Sequence, residues 1–175
     1  MIVLIAEDDR DTAISYKRAL EERDHQVIIT NNGEDCLKIY HERLHNVTPR
    51  TLEDAAQHTQ PFDAIILDHK MPKRNGMEVA KEILALNPHQ RIIFASAYIK
   101  ETLQESIKQL TQLVELLQKP FGEDALIDTI EDKEIYSELQ KLSVNVKDLK
   151  AANLRHEQIR NLLDSLRRIQ KGRTF

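Results

Sequence analysis

Residues 2–9 read IVLIAEDD, a short apolar run that ends in the three acidic residues Glu7, Asp8 and Asp9. An uninterrupted apolar run of this length is typical of a parallel strand that is buried on both faces. Similar runs lie at 26–30, 63–67, 91–95 and 113–117, and segments with helical periodicity separate them at 10–22, 33–45, 76–86 and 99–110. This alternation predicts a doubly wound α/β fold, with a five-stranded parallel sheet and helices on both faces.

The connection between the second predicted helix and the third strand is longer than the about 2–6 residues that are usual in such folds. We interpret residues 45–61 as a surface insertion. Within it, Thr51 is followed by Leu-Glu-Asp, which is an N-cap pattern for a short additional helix.

The segment 132–175 lacks the strand–helix alternation, and residues 123–171 contain neither Gly nor Pro. Apolar residues spaced alternately four and three apart predict a coiled-coil-like heptad seam, and they are Ile135, Leu139, Leu142, Val146 and Leu149. The apolar stripe changes phase from Ala152 onward. The segment is therefore either one long helix or two helices with a joint near 143–146 or 150–154.

Charge is distributed unevenly along the 175 residues, whose net charge is −4. Eight basic and three acidic residues lie between Lys147 and Phe175, which gives this part a charge of +5. The single cysteine, Cys36, allows no internal disulfide, and we expect it to be a small buried side chain. No apolar run approaches the ~20 residues of a membrane helix, and no basic segment precedes the first strand. These features predict a cytoplasmic protein without a membrane span.

Polar residues follow the predicted strands at their carboxyl ends, where ligands bind in open parallel sheets. Glu7 and Asp8 follow the first strand, Asp68 the third, Ser96 the fourth and Lys119 the fifth. Carboxylates suit Mg²⁺ or Mn²⁺, and a carboxylate can also act as a nucleophile toward phosphorus. A lysine beside it would offset the repulsion between two anions. The sequence therefore predicts a divalent-metal site with phosphoryl chemistry.

The order of these motifs resembles the receiver domain of two-component response regulators. The matching motifs are Glu7-Asp8-Asp9, Asp68 with Met71-Pro72 and Asn75-Gly76, Ser96-Ala97, and Lys119-Pro120-Phe121. The resemblance covers residues 1–131 and implies a CheY-like, flavodoxin-like sheet with strand order 2-1-3-4-5. Residues 132–175 would form a basic helical extension that has no counterpart in the resemblance.

The resemblance also implies a role for each matching residue. Asp68 would accept a phosphoryl group from a phosphohistidine of a histidine kinase or a phosphotransfer protein, as in a phosphorelay. The other implied roles are direct Mg²⁺ binding by Asp8, metal binding through water by Glu7, a backbone carbonyl ligand from Lys70, pairing of Lys119 with the acyl phosphate, and a switch hydroxyl at Ser96. Such a domain promotes only its own phosphorylation and dephosphorylation, so no further enzymatic activity is expected.

The sequence departs from the family pattern at Leu116 and follows it at Pro120. Leu116 stands where receiver domains usually carry Tyr or Phe, three residues before the lysine. Tyr98 could substitute as a switch aromatic, although an exposed loop residue is the simpler interpretation. The peptide bond before Pro120 is often cis in the family.

Simpler interpretations exist for several of these residues. Asp9 suits the positive amino end of a helix and needs no metal. His41 and His45 are four residues apart without a third ligand, which is typical of histidines that face solvent.

The leading hypothesis is a response regulator that signals through protein contacts of its helical tail. The tail could form a homodimer, pack on the receiver or bind a downstream protein. The alternatives are a receiver that acts as a constitutive docking module and a regulator that binds nucleic acid through the basic tail. We favour protein contacts over nucleic-acid binding because no helix-turn-helix pattern is present. A phosphatase of the same topology would need a cap domain, for which residues 45–61 are too short.

Overall fold

The computed structural model describes residues 1–47, 60–97, 114–131 and 156–172, together with 139, 141, 142 and 144. Five parallel strands form one sheet in the order β2-β1-β3-β4-β5. The strands are β1 (Ile2–Ala6), β2 (Gln26–Thr30), β3 (Ala64–Asp68), β4 (Ile92–Ser96) and β5 (Val114–Gln118). The described helices are α1 (Arg10–Glu21), α2 (Gly33–Asn46), α3 (Gly76–Leu86), α4 (Glu123–Glu131) and α5 (His156–Gly172). The predicted fold class and strand order are confirmed.

The central strands are buried on both faces, as their continuous apolar sequences predict. Side chains alternate along a strand, so β1 points Leu4 into the layer that holds α2 and α3. Its neighbour Ile5 points into the opposite layer, which holds α1 and α4. Both residues have no exposed surface. These two apolar layers hold the sheet against its helices and fix the positions at which the strands end.

Polar side chains define where the helices begin. Asp9 accepts a hydrogen bond from the backbone N–H of Thr12 at 2.8 Å and so caps α1, as predicted from the sequence. Hydrogen bonding to Thr12 lowers the pKa of the Asp9 carboxyl group. Asn75 and Glu78 form a reciprocal capping box at the start of α3. The caps set the direction of the loops that leave β1 and β3.

A buried ion pair lies at the amino ends of strands β4 and β5. Arg91, just before β4, donates from Nε to Oε1 of Glu115 on β5 at 2.6 Å. The same guanidinium donates to the carbonyl oxygens of Thr129 and Ile130, the latter at 2.9 Å. Arg91 therefore joins β4, β5 and the last turn of α4, where the receiver-like part of the chain ends.

The helix α5 packs back onto the rest of the chain. Its buried residues Ile159 and Leu163 contact Leu139, which belongs to the predicted heptad seam and has no exposed surface. The helix also contacts β5, and Arg160 pairs with Asp128 of α4 at a distance of 3.4 Å. Of the three arrangements considered for the tail, packing back onto the preceding α/β unit is therefore present in the described part of α5.

Several predictions lie outside the described residues. They are the helix at 99–110, the N-cap at Thr51, the role of Tyr98, and the heptad positions Ile135, Val146 and Leu149. The strands at 63–67, 91–95 and 113–117 are each displaced by one residue, so that Asp68 and Ser96 are the last residues of β3 and β4. Among the described helices, none combines the length and apolar character that a membrane span requires.

Candidate functional site

The sheet brings residues that are far apart in the chain to one edge. Glu7 and Asp8 follow β1 directly, and Asp68 is the last residue of the adjacent strand β3. The backbone N–H of Glu7 continues the ladder to β2 by donating to the carbonyl of Thr30 at 3.0 Å. The backbone of Glu7 is therefore fixed by the same ladder of hydrogen bonds that joins β1 to β2.

Three carboxylates form a cluster at this edge. Glu7, Asp8 and Asp68 each offer an oxygen, and these oxygens lie within 4.8 Å of one another. Glu7 is 3% exposed, Asp68 is half-buried and Asp8 is exposed to solvent. Oxygen donors at this spacing suit a hard divalent cation, and one exposed member leaves an entry path from solvent.

Lys119 provides the positive charge that faces the cluster. Its Nζ donates a short hydrogen bond to Oε2 of Glu7 and a second one to Oδ1 of Asp68 at 3.3 Å. Burial favours the neutral amine, but the hydrogen bonds and negative charges of the two carboxylates outweigh this effect and raise the pKa of Lys119. The side chain therefore stays an ammonium at neutral pH and compensates part of the negative charge.

The pKa of the buried carboxyl group of Glu7 is subject to opposing effects, of which burial is the largest. Burial raises its pKa, the hydrogen bond and charge of Lys119 lower it, and the nearby Asp68 raises it. The net direction is upward. Glu7 therefore depends on Lys119 for its charged state, and the two residues act as a pair.

The loop after β3 holds Asp68 in a fixed position. The backbone N–H of Lys70 donates to Oδ2 of Asp68 at 3.2 Å, and the N–H of Gly76 donates to the carbonyl of His69 at 3.0 Å. A Cβ atom on Gly76 would lie only 2.2 Å from the carbonyl oxygen of Asp68. Glycine is therefore required where α3 begins, because the helix starts directly against the backbone of Asp68.

Ser96 lies beside Lys119 at the ends of the neighbouring strands β4 and β5. It is buried, and its carbonyl oxygen accepts the backbone N–H of Lys119 at 2.9 Å. The peptide bond between Lys119 and Pro120 is cis, as the resemblance predicted. The sheet thus brings Glu7, Asp8, Asp68 and Lys119 into one cluster and places Ser96 at the adjoining strand end.

Tyr16 is a neighbour of the site that sequence reasoning did not identify. Its ring stacks on Phe121 with centroids 5.2 Å apart, and Nζ of Lys119 lies 6.0 Å from the ring centroid. A signal was present, because Tyr16 falls between Ala13 and Leu20 on the buried stripe of α1. That stripe indicates an inward position, but it does not show that the ring reaches the lysine.

The remaining candidates have other surroundings. Leu116 is partly buried and packs against the apolar layer that contains α2 and α3. His41 contacts Glu82 with 3.1 Å between Nε2 and Oε1. Cys36 is buried as predicted, and this burial raises the pKa of its thiol to about 12, despite a hydrogen bond with Thr30 that lowers it.

Comparison with known proteins identifies, over most of the chain, the family that the sequence motifs resemble. Residues 3–131 match the family model described as the response regulator receiver domain. The transcriptional regulatory protein YesN of Bacillus subtilis, described as uncharacterized, is 34% identical over 57% of this chain and 26% of its own length. The response regulator receiver protein CpdR of Brucella abortus is 26% identical over 74% of this chain and 92% of its own length. The chain thus spans about a quarter of YesN.

Solved structures share the fold. The receiver domain protein from Clostridium thermocellum superimposes with a TM-score of 0.61 at 20% identity, over 79% of this chain and 98% of the other. The protein TrrA from Thermotoga maritima, solved in complex with Mg²⁺-BeF, gives a TM-score of 0.57 at 23% identity, over 75% of this chain and 97% of the other.

Proposed function

This chain belongs to the family of response regulator receiver domains, and on that premise we propose that Asp68 accepts a phosphoryl group from a phosphohistidine. The observation that carries the proposal is the position of the Lys119 ammonium, which contacts both Asp68 and Glu7 at the end of the sheet. A carboxylate nucleophile with a cation 3.3 Å away is suited to attack on an anionic group.

The transfer makes and breaks one bond to phosphorus. A carboxylate oxygen of Asp68 attacks the phosphorus atom, the bond to the donor nitrogen breaks, and the donor keeps that electron pair. The incoming group is negative, so it meets repulsion from the carboxylates. Lys119 reduces this repulsion, because its ammonium can move from Glu7 to an oxygen of the phosphoryl group as a flexible point charge.

The carboxylate cluster fits Mg²⁺, or Mn²⁺, by its donor type and charge. Three carboxylates face one ammonium there, and their oxygens lie within 4.8 Å of one another. We assign Asp8 and Asp68 as direct ligands, the backbone carbonyl of Lys70 as a further ligand, and Glu7 as a partner through water. A bound divalent ion would supply charge neutralisation on the phosphoryl oxygens.

Ser96 is assigned the switch role. It is buried at the end of β4, next to β5, the strand that Lys119 directly follows. Its hydroxyl would donate a hydrogen bond to a phosphoryl oxygen once Asp68 is modified. The carbonyl oxygen of Ser96 already accepts a hydrogen bond from the backbone N–H of Lys119. A movement of the Ser96 backbone would therefore also move the backbone of Lys119.

Phosphorylation with acetyl phosphate tests the proposal. Wild-type protein with Mg²⁺ should take up one phosphoryl group through a linkage that is stable in acid and labile in base, and EDTA should prevent this. Asp68→Asn should remove the label. Asp9→Asn is the matched control and should keep it, because asparagine also caps a helix. Wild-type protein that takes up no label from acetyl phosphate or a phosphorylated histidine donor would exclude the function.

The tail, residues 132–175, is proposed as the segment that contacts a downstream protein or a second copy of the chain. The support is its amphipathic helix α5, in which Ile159 and Leu163 are buried and Ile169 is 55% exposed. Molecular mass in solution, measured with and without beryllofluoride, tests the homodimer. A monomer in both states would exclude a homodimer and leave the downstream protein as partner.

A constitutive docking module is the second candidate, and Leu116 favours it. This leucine occupies the position of the usual switch aromatic and packs into the apolar layer beside β5. A leucine held in this way has no aromatic ring to change position when Asp68 is modified. If beryllofluoride changes neither the hydrogen exchange of β5 nor that of α5, the constitutive role is the correct one.

A further inference from the structure

The side chain of Tyr16 connects α1 to the loop that carries Lys119. Its ring stacks on Phe121, two residues after Lys119, with an angle of 22° between the ring planes. Tyr16 is 9% exposed. The Nζ atom of Lys119 lies over the same ring at 6.0 Å from its centroid. One aromatic residue therefore stacks on the loop and lies within cation–π range of the ammonium.

We propose that Tyr16 is a positioning residue for Lys119, whose ring face holds the ammonium beside Asp68 and whose stack on Phe121 fixes the loop. This inference rests on the proposed function of Asp68. Aromatic faces carry negative electrostatic potential and attract cations within about 6 Å, more strongly where water is excluded. The side chain of Lys119 is 19% exposed, so water screens this attraction only in part.

The charge around the ring supports an uncharged phenol in this role. Burial raises the pKa of Tyr16, and the negative charges of Glu7, Asp68 and Asp9 raise it further. The phenol therefore stays protonated through the neutral range. The ring contributes its π face and no competing negative charge.

Simple filling of space is the other explanation for Tyr16, and substitutions separate the two. Tyr16→Phe keeps the ring face and the stack. Tyr16→Leu and Tyr16→Met keep apolar volume but remove both. Tyr40 is the matched control, because it is buried and stacks on Phe62 at 6.2 Å within the opposite apolar layer. Tyr40→Leu thus removes a stacked aromatic ring from the fold without touching Lys119.

The first measurement needs no phosphorylation. Protons on Cε of Lys119 should show a ring-current shift in NMR spectra of lysine-labelled protein, identified by its loss in Lys119→Arg. The shift should persist in Tyr16→Phe and Tyr40→Leu and disappear in Tyr16→Leu and Tyr16→Met. A shift that is unchanged without the ring would overturn the positioning role.

The second measurement is the rate of phosphorylation by acetyl phosphate with Mg²⁺. Tyr16→Leu and Tyr16→Met should react about three- to tenfold more slowly, Tyr16→Phe should recover most of the rate, and Tyr40→Leu should match wild type. Rates are compared at a temperature where every variant is folded by circular dichroism, and Met provides a second folded variant if Leu is too unstable. Equal rates for wild type and Tyr16→Met would overturn the inference. If wild type itself takes up no phosphoryl group, the proposed function fails, while the NMR result still decides the position of Lys119.

Discussion

Nζ of Lys119 lies 3.3 Å from Oδ1 of Asp68, although the two residues are 51 positions apart in the chain. Their strands are not neighbours, because β4 lies between β3 and β5. The lysine therefore reaches past the end of β4 to contact Asp68 and Glu7. The charge balance of the site depends on the correct order of four strands, β1, β3, β4 and β5, and it is assembled only when these four strands are paired.

Replacing Lys119 with Met should make stability depend on pH through Glu7. Burial already raises the pKa of Glu7, and loss of the lysine removes the main effect that lowers it. A folded pKa above the unfolded value means that the folded state holds the proton more tightly, so stability falls as pH rises from about 4.5 toward the folded pKa. Urea unfolding should show a deficit relative to wild type that grows to about 2 kcal/mol at pH 7.

The double variant Lys119→Met with Glu7→Gln is the control for this effect. Glutamine has no proton to lose, so the growth of the deficit with pH should vanish. A deficit that is equal at pH 5 and pH 7 in the single variant would show that Glu7 is not its source.

Neutralising one carboxylate of the cluster should stabilise the protein when no divalent ion is present. Asp8→Asn and Asp68→Asn each relieve repulsion among three carboxylates and should raise the free energy of unfolding in EDTA by about 1 kcal/mol. Added Mg²⁺ should stabilise wild type more than either variant. Thermal unfolding followed by circular dichroism measures both effects. Asp9→Asn lies outside the cluster, and an equal gain from it would contradict the repulsion.

Gly76→Ala should destabilise the fold and slow phosphorylation together. The new Cβ would lie 2.2 Å from the carbonyl oxygen of Asp68 and 3.2 Å from the ring of Phe94, so the start of α3 must move. We expect a loss of about 1–3 kcal/mol in urea unfolding. At Gly122 none of the described heavy atoms lies within 4 Å of the position that a Cβ would take, so Gly122→Ala should change stability by less than about 0.5 kcal/mol. Equal costs at the two glycines would refute this explanation.

Leu163→Ala should loosen α5 without affecting the site. Leu163 is 2% exposed and packs against Leu139 and Ile159, whereas Ile169 is 55% exposed. Hydrogen exchange in α5 should indicate a loss of about 2 kcal/mol in local stability for Leu163→Ala and little change for Ile169→Ala. Protection of β1 and β3 should stay at the wild-type level in both variants. If both changes weaken α5 equally, the packing of α5 differs from that described.

The fold could be predicted because the strands are buried on both faces. A short continuous apolar run such as IVLIA at 2–6 is best explained as a buried parallel strand. The spacing between such runs leaves room for the crossover helices that parallel strands need. The observed strand β3 ends one residue later than the apolar run predicts, because Asp68 still pairs with Ala95 of β4. A polar residue that completes a ladder cannot be distinguished by hydropathy from one that begins a loop.

The candidate site could be predicted as a set of strand ends, but its internal contacts could not. The strand ends predict Glu7, Asp8, Asp68 and Lys119 at one edge. The resemblance implies metal binding through water for Glu7, and neither source predicts its direct pairing with Lys119. The position of Tyr16 beside the site could not be predicted, because the sequence pattern of a buried helix face does not distinguish it from other core residues. Which core residue reaches the lysine depends on side-chain geometry that no spacing rule contains.

The position of Tyr16 also means that intrinsic tyrosine fluorescence can report on the site. The chain contains four tyrosines and no tryptophan, so tyrosine emission is not masked by a stronger fluorophore. One of the four rings lies 6.0 Å from the ammonium that contacts the carboxylates of Glu7 and Asp68. Unlabelled protein thus carries a native fluorophore beside its proposed reaction centre, and Tyr16→Phe provides the blank.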